Sequence, residues 1–477
     1  MKSLNRRSFL TRTALATAAV SWTARSWSQV AGSNSDVRMG VIACGDRAGS
    51  HIGAWSKMEG VRLAGLCDPD PARVGKAGQQ HPNAATFTDL RKMLESKEID
   101  GVSIATPNHW HSLAGIWAIQ AGKDVYTEKP VSHNVFEGRQ FVKFARKHKK
   151  IVQTGTQSRS SLGGIGEAVK WVKDGNIGKI LIARGLCYKP RPSIGKVEGP
   201  QNPPADVNYD LWSGPAPLLP IMRKKFHYDW HWMWAYGNGD LGNQGIHQMD
   251  ICRWFLGEMT LAPFVVSAGG RLGYVDDGET ANTQIIYQGY EKAPLIFEVR
   301  GLPEKTDAKN MDKYKGASVG CVIECEGGYV SVPSYTQSIA HDKDGNEIKK
   351  FTGAEDHFAN FIKAVKSRSE KDLNADILEG HLSSALCHTG NISYRLGAKK
   401  SPDEIKEALK GDRGMVESFG RMAEHLGKND VDITKDKITL GVPLKMNPKT
   451  EKFVANAAAD KMLTREYRAP YIVPEKV

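Results

Sequence analysis

From Val37 to about residue 156, short apolar runs alternate with polar turns and with stretches whose apolar residues recur at helical spacing. The first run, Val37–Ile42, leads through a Gly-containing turn into a helical stretch that reaches Trp55, and the second, Val61–Cys67, ends in Asp68. A helix over 71–79, a short strand near Thr86, a helix over 89–96 and a strand over 101–105 follow. A Pro-containing loop with Asn108, His109 and His111 opens an apolar-faced helix running to Gly122, and the strand Asp124–Thr127 then delivers Glu128, Lys129 and Pro130. Asn134 and Glu137 have capping-box spacing and start a helix with Phe141, Val142 and Ala145 on one face. The last strand, 151–154, runs into Gly155, Thr156, Gln157 and Arg159. Such alternation predicts a parallel sheet wound on both faces.

Beyond residue 156 the pattern changes. A helix over 165–173 and the strand Ile180–Tyr188 precede a Pro-rich excursion over 189–223 and an aromatic-rich stretch over 226–257. Strand-like runs at 264–267, 282–288, 293–299, 318–325 and 328–332, joined by hairpin-like turns, predict an open, largely antiparallel sheet with helices on one face. A helix over 376–396 carries an apolar stripe (Leu378, Leu382, Ala385, Leu386) beside a polar one (His381, Ser384, His388, Asn391, Arg395), expected to form buried hydrogen bonds between domains. The tail from Ser401 is charged and reads as peripheral. The fold class is therefore α/β, divided as 1–32, 33–156, 157–400 and a C-terminal extension, 401–477.

Composition adds limits. With 477 residues, 40% hydrophobic and 25% charged, the chain suits two or more domains, and no apolar run reaches the roughly 18 residues of a membrane span. Arg6 and Arg7 followed by Ser8, Phe9, Leu10 and a weakly apolar run over 14–20 read as a twin-arginine signal, which predicts a periplasmic or otherwise exported protein. Loss of that segment removes Lys2, Arg6, Arg7, Arg12 and Arg25 and no acid, taking the formal charge from +12 to +7. No basic stripe accompanies it, so nucleic acid is not an expected partner. The seven cysteines have no paired spacing and read as small core hydrophobes.

Between the first two strands the layout suits a dinucleotide: a turn at a helix start for the pyrophosphate, and an acid about 20 residues on for the ribose hydroxyls. The glycine positions of that motif fall on Ala43, Gly45 and Ala48, with Asp46 and Arg47 opening the helix. Asp68 favours NAD, because a carboxylate repels a 2′-phosphate, while nearby Arg73 leaves NADP open. The loop after 105 and the end of the strand Asp124–Thr127 both point at the crevice beyond the carboxyl ends of the strands.

The TPNHWH loop, the EKP tripeptide at 128–130, the TGTQSR segment and the GDLGNQGIHQMD stretch together resemble the Gfo/Idh/MocA family of glucose-fructose oxidoreductase, inositol dehydrogenase and rhizopine catabolism proteins. The resemblance spans about residues 37–400. It implies a nicotinamide-binding Rossmann domain, an α/β domain whose open sheet supports homo-oligomers (dimer or tetramer), and hydride exchange at a sugar or polyol carbon between them. Carried over by position, Lys129 is the EKP lysine and His247 the motif histidine, while Asn243 stands where the family has aspartate. The catalytic assignment is His247 as base, Lys129 as electrostatic partner and relay, and Asn243 as orienter. Cofactor binding is assigned to Ala43, Gly45, Asp46, Arg47, Asp68, Thr106, Pro107, Asn108, His111, Glu128, Lys129 and Gln157, and substrate binding to Arg159, Trp230, His231 and Asp250. His227, Asp229 and His231 alternate as on one strand face, a spacing open to metal, but their aromatic neighbours read better as a sugar platform or packing, and no metal is assigned.

Three functions remain open on the sequence: an exported NAD-dependent sugar or polyol oxidoreductase with tightly held cofactor, cleavage of a glycoside through a transient keto-sugar, and a non-catalytic sugar-binding protein. Asn243 and Ala43 are the features that keep the last one open.

Overall fold

The computed structural model describes residues 36–477, so the twin-arginine segment lies outside the described residues. Six apolar runs become β1 (Val37–Ile42), β2 (Val61–Cys67), β3 (Ala85–Phe87), β4 (Gly101–Ile104), β5 (Asp124–Thr127) and β6 (Val152–Thr154). They pair in parallel in the order β3-β2-β1-β4-β5-β6. Winding reverses between β1 and β4, which opens a crevice at the carboxyl ends of the strands. Alternate residues explain the continuous apolar runs, since Met39 and Val41 pack with Ile52 and Trp55 on one face while Ile42, Val102 and Ile104 pack with Leu113 and Ile116 on the other. The helices begin on side-chain caps: Asp70 accepts from the Ala72 and Arg73 N–H groups, and Asn134 from Glu137 N–H.

The second domain is built on β7 (Ile180–Tyr188), β8 (Phe264–Gly270), β9 (Thr283–Gln288), β10 (Leu295–Arg300), β11 (Val319–Cys325), β12 (Gly328–Ser334), β13 (Gln337–Asp342), β14 (Glu347–Thr352), β15 (Ala398–Lys400), β16 (Ile438–Leu440) and β17 (Leu444–Asn447). Their path is β14-β13-β12-β11-β7-β10-β9-β8-β16-β15, with β17 also on β8, and among these neighbours β7 and β10 are the parallel pair. The sheet is mixed and mostly antiparallel, as expected, but helices cover both of its faces. Ile286 and Phe297 pack with the helices Gly245–Leu256 and Ile377–Arg395, whereas their neighbours Ile285 and Ile296 pack with Met415, Phe419 and Met422 of the helix Arg413–Gly427.

This corrects the reading of the tail as peripheral. Its helix seals part of the sheet face that the resemblance gave to subunit contacts, and its strands extend the sheet through β8. Its last residues then cross to the first domain, where Tyr471 and Val473 are buried and Tyr471 meets the ring of Trp110 edge-on at 5.6 Å. The polar stripe of the helix Ile377–Arg395 ties the domains together, as expected. Ser384 Oγ accepts from Val131 N–H and His388 Nε2 lies 3.2 Å from Ser132 Oγ, whereas Asn391 Nδ2 donates within the second domain, to the Asn238 carbonyl. Six of the seven cysteines are buried and none is bonded to another among the described residues.

If the helix Arg413–Gly427 is core and not ornament, Phe419→Ala should destabilise by about 3 kcal/mol, read as a fall in Tm. An unchanged Tm would return the tail to the periphery.

Candidate functional site

A cavity of about 340 Å³ opens at the carboxyl ends of β1, β2, β4 and β5. One wall carries Ala43, Gly45, Asp46, Arg47, Asp68, Arg73, Thr106, Pro107, Asn108, His111, Glu128 and Lys129; the opposite wall, from the second domain, carries Lys189, Arg191, Trp212, Tyr228, Trp230, His231, Asn243 and Gln244. Every cofactor residue assigned from sequence except Gln157 thus meets in one place. Gln157 stays in the turn Gln157–Ser160 away from the lining, its Oε1 buried without a hydrogen-bond partner.

The nucleotide wall follows from its backbone. Ala43 has φ +90°, a conformation that favours glycine, so this departure from the glycine pattern is held under strain. Gly45 begins the helix Asp46–Trp55, whose first N–H groups have no side-chain cap. A Cβ at Gly45 would meet the end of the Arg73 side chain, which packs over this turn. Asp68, at the end of β2, accepts from Cys44 N–H at 2.8 Å and Asp70 N–H at 3.0 Å, and burial raises its pKa. Free N–H donors at a helix start, together with a carboxylate one strand over, fit a dinucleotide.

Deeper in, Glu128 accepts from Arg47 Nε at 2.6 Å and from His51 Nε2 at 3.0 Å. Since the carboxylate can only accept, His51 Nε2 carries a proton, and His51 Nδ1 lies 2.5 Å from Ser103 Oγ. Burial works against the charge on Glu128, yet His51 and Arg47 hold its carboxyl well below the usual range. Lys129 Nζ donates to the Asn243 backbone carbonyl at 2.7 Å and lies 3.4 Å from its Oδ1. Burial lowers the lysine's pKa; Glu128 opposes this, and the charges of Arg47 and Lys189 add to it. His111 lines the cavity but braces its loop, with its ring nitrogens 2.5 Å from the Pro130 carbonyl and 2.7 Å from that of Thr106.

His247 sits one turn beyond Asn243 and does not line the cavity. Burial, and after it the charge of Lys129, push its pKa down to about 3, so its imidazole is neutral; Nδ1 has no hydrogen-bond partner and the ring lies 4.8 Å from that of Tyr335. Tyr335, from the β12–β13 turn, accepts from Gln244 Nε2 at 2.8 Å. Trp230 and His231 stack at 3.7 Å and both line the cavity.

Two substrate assignments are corrected. Arg159 and Asp250 are buried away from the cavity in an ion-pair network, with Arg159 Nε donating to Asp250 at 2.7 Å, its Nη2 to Glu379 at 3.0 Å, Arg253 paired to Glu379, and Ser383 Oγ donating to Asp250 at 2.7 Å. The strand reading of 227–231 also falls. Asp229–Trp232 is a short 3-10 turn, so the three side chains diverge: His227 lies 3.0 Å from Asp70, Asp229 accepts from Lys225 N–H, and His231 Nδ1 faces the Tyr228 carbonyl. Sequence reasoning did not find Lys189, Arg191, Trp212 or Gln244, while Tyr228 was among the aromatics read as a sugar platform or packing. They come from the Pro-rich excursion and from turns, where no periodicity marks a facing side chain.

Comparisons with known proteins agree with this geometry. Residues 37–156 match the model of the oxidoreductase family with an NAD-binding Rossmann fold, and 179–421 match that family's C-terminal alpha/beta domain. An inositol 2-dehydrogenase of Corynebacterium glutamicum is 27% identical over 165 residues, 34% of this chain and 48% of that protein. An alpha-N-acetylgalactosaminidase of Shewanella oneidensis is 35% identical over 123 residues, 24% of this chain and 27% of that one. The chain spans about half the length, or less, of these curated relatives. Among solved structures, the WlbA dehydrogenase of Bordetella pertussis, in complex with NADH and UDP-GlcNAcA, superposes with TM-score 0.55 at 22% identity over 74% of this chain and 94% of that one. A levoglucosan dehydrogenase, in complex with NADH and levoglucosan, does so with TM-score 0.55 at 16% identity over 74% and 95%. Both likenesses are of fold.

Two variants test the assignment of strain and burial. Asp250→Asn, which leaves Arg159 and Arg253 short of a charge, should cost about 3 kcal/mol or more; a loss confined to substrate KM with Tm intact would restore a binding role. Ala43→Gly relieves a positive φ at the expense of a looser unfolded chain, so Tm should hold or rise, and a marked fall would contradict the strain.

Proposed function

The chain belongs to the Gfo/Idh/MocA family of oxidoreductases, and on that premise we propose that it moves a hydride between NAD and a secondary hydroxyl carbon of a sugar, polyol or glycoside. The observation that carries this reading is Lys129, whose ammonium reaches the cavity where the nucleotide wall ends and is fixed from the other wall by the Asn243 carbonyl at 2.7 Å. Bound against the first wall, NAD supplies the hydride acceptor or donor. All other steps fall to side chains. The uncapped start of the helix Asp46–Trp55 binds the pyrophosphate, and Asp68 accepts from ribose hydroxyls, which favours NAD over NADP.

Lys129 holds the reacting hydroxyl oxygen. When the carbon gives up hydride, the O–H proton must leave as well, and a lysine with a lowered pKa reaches the neutral state that can take it. In the reverse direction the same group returns the proton. His247 does not line the cavity and burial pushes its pKa down to about 3, so in this reading the proton goes to Lys129 and not to His247. Asn243 orients through its backbone carbonyl, a task that the aspartate-to-asparagine departure leaves intact. The stacked Trp230–His231 pair offers a flat face for a sugar ring. The dehydrogenase names of the relatives support a polyol or sugar substrate. Arg6 and Arg7 support export, and export away from the cytoplasmic nucleotide pool supports a cofactor retained through turnover.

Denaturing the protein purified without added nucleotide should release about one nicotinamide dinucleotide per chain, read by absorbance and mass. Lys129→Ala should keep the nucleotide and lose on the order of 100-fold or more in turnover. Alcohol oxidation should rise with pH as Lys129 loses its proton, through a value below the usual lysine pKa, and that rise should vanish in the variant. An empty protein that binds neither NAD nor NADP overturns the reading.

A further inference from the structure

The carboxylates lining the cavity are all committed at or near the nucleotide wall. Asp46 and Asp68 sit at the first turn of the helix Asp46–Trp55 and at the end of β2, and Glu128 is bonded to Arg47 and His51. On the substrate side Arg191 is equally committed: Nε and Nη2 donate to Asp240 at 2.9 and 2.7 Å, Nη1 donates to the Tyr228 hydroxyl at 3.1 Å, and the guanidinium lies over the Trp232 ring. That leaves two ammonium groups. Lys129 has only the neutral oxygens of Asn243 as acceptors. Lys189, the first residue after β7, has no side-chain hydrogen bond or ion pair among the described residues. Its backbone is nevertheless fixed, because Lys189 N–H donates to the Arg300 carbonyl at 3.0 Å at the end of the parallel β7–β10 pair, so the ammonium is carried on a rigid edge.

Lys129 and Lys189 face the cavity from opposite walls and repel each other; Glu128 and Asp240 offset the charge of Lys129 in part, while that of Lys189 helps to depress its pKa. Oxidised nicotinamide would bring a further positive charge to the same space. Developing alkoxide at Lys129 answers one charge only while the reaction proceeds; Lys189 lacks a counter-charge throughout. We infer that the substrate is an acidic sugar, a uronate or aldonate, whose carboxylate binds Lys189 while the reacting hydroxyl lies on Lys129. This inference rests on the proposed oxidoreductase reading for its second half, the placement of the hydroxyl, and on the charge arrangement alone for its first. Arg191 already gives three of its five N–H groups to Asp240 and Tyr228, whereas the Lys189 ammonium has no side-chain partner among the described residues; Lys189 therefore sets the preference.

The test is calorimetric titration of the purified protein, supplemented with NAD, using matched neutral and acidic sugars: glucose and glucuronate, galactose and galacturonate, sorbitol and gluconate. At least one acidic member should bind tenfold or more tightly than its neutral partner, and added salt should shrink the gap. Lys189→Gln should erase the gap, while Lys189→Arg should keep most of it. Absence of any acidic preference, or its survival in Lys189→Gln, overturns the inference. NADH absorbance followed on the same mixtures separates the two readings. Reduction of NAD by neutral sugars with no acidic preference sinks the acidic-substrate inference alone; selective binding of acids that depends on Lys189, with no NAD binding and no NADH from any sugar, sinks the oxidoreductase reading and leaves the carboxylate site standing.

Discussion

One hydrogen bond joins the two halves of the site: Lys129 Nζ, on the end of β5, donates to the backbone carbonyl of Asn243, at the end of a short helix in the second domain. A lysine delivered by a buried parallel strand has little freedom at its backbone, and a carbonyl at a helix end presents partial negative charge. The lysine ammonium is therefore held by both domains. Within the first wall, Glu128 is pinned by Arg47 and His51, and His51 meets Ser103 on β4, so the residue preceding Lys129 is anchored to the helix Asp46–Trp55 and to the neighbouring strand. Much of the remaining architecture serves to keep these two ends in register.

The C-terminal tail contributes to that register in a way its charged composition hid. It packs Met415, Phe419 and Met422 against the sheet, pairs β16 with β8, and sends Tyr471 and Val473 into the first domain. Arg465 ion-pairs with buried Glu137, and Arg139 and His381 converge on Glu451. The tail also meets the polar stripe of the helix Ile377–Arg395, where His381 Nε2 lies 3.0 Å from Glu451.

How much of this was legible follows from what burial does to a sequence. Parallel strands enclosed on both faces must be apolar throughout, and so β1, β2, β4 and β5 stood out within a residue or so of their ends. β14 escaped because five of its six residues are exposed, with Glu347, Lys349 and Lys350 among them. The tail helix did carry a signal, since Met415, Phe419, Met422 and Leu426 recur at helical spacing, but the surrounding charge masked it. At the site, residues at strand ends and helix starts were found because topology alone directs them to the crevice. Arg159 and Asp250 were misread for the converse reason: charged residues near a motif look like ligands, yet when each is the other's partner they can be buried as a pair.

The residues that reasoning from periodicity missed are those on which selectivity turns. The nucleotide wall comes from regular elements with fixed geometry, and it would look alike in any protein that binds the same cofactor. Lys189, Arg191 and Trp212 lie along a proline-rich stretch with one short helix, Tyr209–Ser213, and their facing is set by tertiary contacts such as the Arg191–Asp240 pair and the Trp212 carbonyl approached by His109 and Trp110. Loops of this kind tolerate change without loss of the scaffold. A family that keeps one reaction and varies its substrates can therefore do so through this wall, where this chain places an arginine paired with Asp240 and a lysine with no side-chain partner among the described residues.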